Sequence, residues 1–144
     1  MSAALSQIQK LAHVRRASGF YLSDPVGYSE QPDFWNAAVE IRWGGSPEEL
    51  LRRLQEIEKM VGRTPSFPNG PREIDIDILD FGGLIQSGPN LALPHPRLAL
   101  RRFALAPLAE IAPRWRHPIL GKTALELQAP LPAKPGVRRI ELEP

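Results

Sequence analysis

The chain of 144 residues contains no cysteine. A disulfide framework, a thiolate-bound zinc ion and a cysteine nucleophile are therefore excluded. No apolar run approaches the roughly 20 residues of a membrane-spanning helix, and the N-terminus lacks the apolar core of a signal peptide. We therefore expect a soluble, cytoplasmic protein that makes no membrane contact.

Aromatic residues are also scarce, at 7%, and the net charge is only +2. A small positive charge suits an anionic ligand but is weak evidence for nucleic acid binding. Proline is abundant, with 16 residues that cluster in connections and in the tail. This distribution predicts long ordered loops of the kind that carry binding sites, within a single domain.

The most informative stretch is Gly-Pro-Arg-Glu-Ile-Asp-Ile-Asp-Ile-Leu, residues 70–79. Acidic and apolar residues alternate from Glu73 onward, which predicts a strand with Asp75 and Asp77 on one face. Carboxylates one strand repeat apart lie ~7 Å apart and suit one hard cation or a pair of them. With Arg72 at the start of the strand, the pattern favours a site for magnesium and a nucleotide. The alternative is an amphipathic strand whose acids are merely solvated.

Hydrophobic spacing and turn residues predict the other elements. We expect a helix over 3–12, strands over 14–22 and 34–43, and a helix from Ser46, as N-cap, to Gly62. Farther along we expect a short strand at 84–85, a helical pattern over 96–111 that Pro107 kinks or restarts, a short helix over 123–127 and an edge strand over 137–142.

Four blocks, at residues 20–27, 31–39, 70–81 and 93–113, resemble the family of 6-hydroxymethyl-7,8-dihydropterin pyrophosphokinases, in the family's order. The resemblance covers roughly residues 18–113. It implies transfer of pyrophosphate from ATP to 6-hydroxymethyl-7,8-dihydropterin in folate biosynthesis, which gives the pterin diphosphate and AMP. It also implies two magnesium ions as cofactors, and other folate-pathway enzymes as partners.

The chain departs from that family at its start. Family members begin with a strand and a Gly-Ser-Asn loop ahead of the first helix, whereas Met1 already lies inside what resembles that helix. With the strand supplied, the order becomes βαββαβ, a ferredoxin-like α+β sandwich with added C-terminal elements. We therefore expect one domain over 1–144, truncated relative to the family. It should be poorly stable, or should fill the gap with its own tail or a partner chain, and its activity should be weak or absent without an upstream extension.

Two other functions stay open. One is a non-catalytic or impaired remnant or paralogue of the enzyme. The other is a small nucleic-acid-binding module on the same fold, which would need exposed aromatics where this chain has acids.

On the nucleotide side, the resemblance makes Asp75 and Asp77 the metal ligands. Arg63 and Arg72 would act on the phosphates, although Arg63 could simply offset a helix dipole. The remaining nucleotide contacts would be Gln55, Glu58, Ile78, His95 and Arg101. The plain alternatives are an exposed helix face for Gln55 and Glu58, and an exposed turn for His95.

On the pterin side, the resemblance places the flat ring between Phe34 and Phe103, with Asn36 reading its amide-like edge. Backbone groups of Ser23, Asp24, Pro25 and Val26 would border the ring. The alternative for the two phenylalanines is a place in the ordinary core.

Overall fold

The computed structural model describes residues 2–23, 34–62, 74–133 and 136–140. It confirms a mixed α+β protein with small antiparallel sheets. The elements are α1 (Ser2–Leu11), β1 (His13–Ala17), β2 (Tyr21–Ser23), β3 (Phe34–Asn36), β4 (Val39–Arg42), α2 (Pro47–Gly62), a 3-10 turn (Leu98–Leu100), α3 (Arg102–Ile111), α4 (Ala124–Gln128) and β5 (Val137–Arg139). In this described part, none of the helices combines the length and apolarity needed to cross a bilayer.

The strands form two sheets. β1 pairs with β4, and β2 lies between β3 and β5 in a three-stranded sheet, with all pairs antiparallel. Each of the two long strands predicted from the sequence is therefore divided between the sheets. The division is held at Ser18, whose N–H donates to the Ala38 carbonyl at 2.9 Å and whose Oγ accepts from the Ala38 N–H at 2.8 Å.

The predicted start of α2 is confirmed: the Glu49 N–H donates to Ser46 Oγ at 3.1 Å, and Pro47 is the first helical residue. The restart predicted at Pro107, as one of two alternatives, is wrong. α3 continues through Pro107, which is fully buried, and the irregular point lies earlier, between the 3-10 turn and Arg102. Proline lacks an N–H, so Pro107 deprives the Phe103 carbonyl of its helical donor, and the alternative of a kink stays a prediction.

The acidic segment, residues 74–80, is not a strand in the described part of the chain, which corrects that prediction. Its backbone bonds run instead from the Ile76 N–H to Glu58 Oε2, at 2.7 Å, and from the His95 N–H to the Leu79 carbonyl, at 2.9 Å. The predicted facing is nevertheless found, because Asp75 and Asp77 are exposed while Ile78 is buried. Alternation specifies which face is buried, but it does not specify a neighbouring strand.

Two hydrophobic clusters form the core. The first consists of Ile8, Leu50, Leu54, Ile57, Ile78 and Leu93, and the second of Leu98, Leu105, Leu108, Ala124 and Leu127. Ile76 packs against the first cluster and Leu79 against the second. The acidic segment thus contacts both clusters, and its two aspartates lie on either side of Ile76 in the chain.

Candidate functional site

Among the described residues, Arg101 supplies a positive charge beside the aspartate pair of the acidic segment. Arg101 Nη1 lies 3.8 Å from Asp77 Oδ2, which is a loose ion pair of small energetic value. The same guanidinium lies 5.5 Å from the centre of the Phe103 ring, within the range of a cation–π contact. Arg101 therefore contacts both Asp77 and the ring of Phe103 in the first turn of α3.

Glu58 supports the acidic segment from α2. Its Oε2 accepts the Ile76 N–H, at the residue between the two aspartates. Burial raises the pKa of the Glu58 carboxyl, and the nearby charges of Asp75 and Asp77 raise it further, while the Ile76 hydrogen bond lowers it. The carboxylate that the resemblance assigns to the nucleotide thus has a backbone partner in this structure. Gln55, one turn earlier, is exposed.

His95 occupies a turn that follows a cis peptide bond between Leu93 and Pro94. Its Nδ1 accepts from the Arg97 N–H at 3.1 Å, so the neutral imidazole carries its proton on Nε2. Burial lowers the pKa of His95; the charge of Asp77 opposes that shift, and Arg101 and Arg97 add to it. At neutral pH the side chain is therefore an uncharged Nε2–H donor close to Asp77.

The two aspartates fit a magnesium ion that is shared with a polyphosphate. Within residues 74–133 and the other described ranges, no three His, Asp or Glu side chains form a ready metal cage. Mg²⁺ usually binds one or two carboxylates and takes its other ligands from water and phosphate oxygens. Asp75 and Asp77 supply that carboxylate share on an exposed face.

The residues assigned to the pterin come from neighbouring elements. Asn36 Nδ2, on β3, donates to Ser23 Oγ on β2 at 2.8 Å, and Ser23 is buried. α3 packs against both strands and carries the half-buried Phe103 at its N-terminal end. Phe34 pairs with Ser23 in the strand register. The structure thus brings Ser23 and Asn36 into contact and packs the helix that carries Phe103 against their two strands.

Several predicted site residues lie outside the described residues: Arg63, Arg72, Asp24, Pro25 and Val26, as does the side chain of Phe34. Their roles stay predictions. Ile78 is described, and its side chain is buried in the first cluster, so only its backbone could reach a ligand.

Sequence reasoning missed Glu110, near the C-terminal end of α3. The Tyr21 hydroxyl donates to Glu110 Oε1 at 2.7 Å, the Gly19 N–H to Oε2 at 3.0 Å, and Arg139 Nε to Oε1 at 3.0 Å. Burial, the hydrogen bond to Glu110 and its charge together raise the pKa of Tyr21 to about 12. A single acid in a helix gives no local signal for such long-range partners.

Three relatives from different organisms match most of this chain. A protein from Dictyostelium discoideum named folic acid synthesis protein FOL1 is 36% identical over 141 residues, which are 98% of this chain and 22% of that protein. The 2-amino-4-hydroxy-6-hydroxymethyldihydropteridine pyrophosphokinase of Synechocystis is 39% identical over 88% of this chain and 66% of its own length. The Pseudomonas aeruginosa protein of the same name is 38% identical over 97% of this chain and 86% of its own length.

The chain therefore spans about a fifth of the Dictyostelium protein and about two thirds of the Synechocystis protein. The family model described as 7,8-dihydro-6-hydroxymethylpterin-pyrophosphokinase matches residues 1–113. This chain belongs to the 7,8-dihydro-6-hydroxymethylpterin-pyrophosphokinase family.

Proposed function

We propose that this chain transfers pyrophosphate from ATP to 6-hydroxymethyl-7,8-dihydropterin in a cytoplasmic step of folate biosynthesis. The hydroxymethyl oxygen attacks the β-phosphorus, the bond from that phosphorus to the α-phosphate oxygen breaks, and AMP leaves. The single observation that carries the proposal is the exposed aspartate pair, flanked by His95 and Arg101, in a chain of this family.

Asp75 and Asp77 would hold two magnesium ions together with the ATP phosphates. When bound, these ions neutralise phosphate charge and align the β-phosphorus. Phosphoryl transfers of this kind depend on positioning and electrostatics rather than on covalent catalysis. Arg101 would bind a phosphate oxygen, and the neutral His95 would donate its Nε2–H to the nucleotide. Arg63 and Arg72 would add charge to the phosphate site.

Phe34 and Phe103 would stack on the two faces of the pterin, and Asn36 would bind its amide edge. The Ser23 hydroxyl supports this role because it fixes the orientation of the Asn36 amide, whose Nδ2 donates to it. Asp24, Pro25 and Val26 would line the ring through their backbone groups.

We further propose that the two sheets belong to a ferredoxin-like α+β arrangement. The chain order of α1, the two divided strands and α2 supports this proposal. Association with other folate-pathway enzymes is the remaining partner proposal. The Dictyostelium relative named for folic acid synthesis, of which this chain spans only 22%, makes such a larger assembly reasonable.

The proposal predicts that Asp75→Ala and Asp77→Ala abolish Mg²⁺-dependent ATP binding and AMP release while the fold persists. Removal of one of two neighbouring like charges should leave stability in the absence of metal unchanged or slightly higher. Asp75→Ala is the cleaner variant, because Asp77 also pairs with Arg101. Calorimetry with and without Mg²⁺ measures the binding.

The matched control is Glu56→Ala, which removes an exposed carboxylate whose described partners are surface arginines of the same helix. This control should bind Mg-ATP as the wild type does. Undiminished Mg-ATP affinity in both aspartate variants would overturn the assignment.

A further inference from the structure

Glu110 joins three elements that are distant in the chain. From α3, its Oε1 accepts from the Tyr21 hydroxyl of β2 and from Arg139 Nε of β5. Its Oε2 accepts the Gly19 N–H, just ahead of β2. Both oxygens of one carboxylate are thus used to hold a helix against two strands. We call Gly19, Tyr21, Glu110 and Arg139 the Glu110 clasp.

The clasp is packed as well as hydrogen-bonded. A Cβ atom added to Gly19 would lie only 2.8 Å from Arg139 Nη2 and 2.9 Å from its Nε, so the guanidinium rests directly on the glycine backbone. β5 is held to β2 by register pairs that include Tyr21 with Arg139 and Ser23 with Val137. The Ile140 N–H adds a bond to the Phe20 carbonyl at 2.8 Å.

The clasp stands at one end of α3, and Phe103 stands at the other. Glu110 follows Phe103 by seven positions of continuous α-helix, an advance of ~10 Å along the helix axis. On β2, Ser23 follows Tyr21 by two residues, which places it on the same face ~7 Å farther along. The contact of Glu110 with Tyr21 therefore sets the position of Phe103, at the other end of α3, relative to the Ser23–Asn36 pair.

We propose that Glu110 is a positioning residue for pterin binding: by tying α3 to β2 and β5, it sets the separation of Phe103 from the Ser23–Asn36 pair. The inference rests on the proposed function, since it concerns the slot assigned there to the pterin. Among the described residues, the side-chain bonds of Glu110 run to Gly19, Tyr21 and Arg139 and not to Phe103, Ser23 or Asn36. Glu110 acts on the slot indirectly, through the positions of α3 and β2.

The competing explanation is that Glu110 only stabilises the fold. In that case its loss would reduce the folded fraction, and the protein that remains folded would bind both ligands normally. A positioning role instead changes the affinity of folded protein for one ligand, the pterin, and leaves the other unchanged. The aspartate pair belongs to the acidic segment, which none of the clasp's described bonds reaches. Arg101, the N-cap of α3, is the assigned nucleotide residue nearest to the helix, and it contributes only a loose ion pair to Asp77. Mg-ATP binding should therefore change far less than pterin binding, and it is the internal reference.

The test is Glu110→Gln, which keeps the size of the side chain but removes its charge and replaces one acceptor oxygen with a donor NH₂. We expect the Kd for 6-hydroxymethyl-7,8-dihydropterin, measured by calorimetry on folded protein, to rise about tenfold, the change expected if the displaced slot loses the equivalent of one hydrogen bond to the ligand. The Kd for Mg-ATP should stay within about twofold of wild type. Tyr21→Phe, which deletes one hydroxyl, should change the pterin Kd in the same direction by less, and it serves if the Gln variant does not fold.

Thr123→Ala is the matched control, because it weakens the cap of α4 and so lowers stability away from the clasp. An unchanged pterin Kd in the Gln and Phe variants, a similar weakening of Mg-ATP, or the same pterin loss in Thr123→Ala would each overturn the positioning role. If the wild type binds Mg-ATP but no pterin, the proposed function fails first, and the role of Glu110 fails with it.

Discussion

At the scale of single residues, the protonation of Tyr21 reports on the clasp. The chain has two tyrosines, so a Tyr28→Phe background leaves Tyr21 alone in the ultraviolet titration. We expect it to ionise at a pKa of about 12, against an ordinary value of 10.0. Because the folded state raises this pKa, the associated stabilisation is complete below pH 10 and is lost as the pH rises through the folded pKa.

Adding Glu110→Gln to the same background should lower the Tyr21 midpoint only partly, since burial is the largest cause of the shift and the hydrogen bond comes second. A midpoint near 10 before that substitution would contradict the hydrogen-bonded, buried hydroxyl. The control is the isolated Tyr28→Phe protein at pH 8, whose near-ultraviolet circular dichroism should match that of the wild type.

Asn36 gives the second residue-scale prediction. Asn36→Ala should weaken pterin binding by about 1–3 kcal/mol, because the hydrogen-bonding groups on the amide-like edge of the pterin are left unpaired. Affinity for Mg-ATP should barely change. Calorimetry with each ligand decides between the two halves of the site: loss of ATP binding with intact pterin binding would mean that the halves are exchanged. Asn90→Ala, at an exposed position, is the control.

The placement of a candidate site residue could be predicted from the sequence where it depends on the residues next to it in the chain. Asp75 and Asp77 were expected on one exposed face, and both are exposed. Arg101 was expected on the nucleotide side, and it lies beside Asp77. The bond from Ile76 to Glu58 could not be foreseen, because it joins residues 18 positions apart through a backbone N–H that has no sequence signature.

At the scale of elements, α4 offers a clean measure of local stabilisation. Its N-terminus is a reciprocal capping box: the Glu126 N–H donates to Thr123 Oγ1 at 3.1 Å, and the Thr123 N–H to Glu126 Oε1 at 3.0 Å. Thr123→Ala should lower the free energy of unfolding by about 0.5–2 kcal/mol. Urea denaturation measures it, with Thr123→Ser, which retains a hydroxyl, as the matched control. Equal losses in both variants would show that the hydroxyl does not act as the cap.

Helices could be predicted from the sequence where they depend on local signals such as caps and apolar spacing. The Ser46 cap and the spacing of Leu50, Leu54 and Ile57 specify α2 without reference to the rest of the chain. Strands are different, because the same alternating pattern is compatible with several partners and registers. This is why the extent of the predicted strands was wrong, and why the acidic segment has no ladder in the described part although its predicted buried face is found.

At the scale of the whole molecule, the acidic segment of the site contacts both hydrophobic clusters. Ile78 belongs to the first cluster and Leu79 packs on the second, so consecutive residues of one segment face different cores. A list of apolar residues cannot reveal such a division, because leucines belong to both clusters. The chain neighbours of the exposed aspartates, Ile76 and Ile78, pack in the first cluster, which limits the motion of the aspartate backbone when a cation binds.

The continuity of α3 has a consequence for how the chain can change in length. An α-helix turns by about 100° and advances by 1.5 Å for each residue. A single inserted or deleted residue between Phe103 and Glu110 would therefore swing the aromatic ring about a quarter of a circle away from the sheet while the carboxylate stayed in place. The number of residues between Phe103 and Glu110 is therefore constrained. Substitution of surface side chains in this stretch should be tolerated far better than an insertion or a deletion.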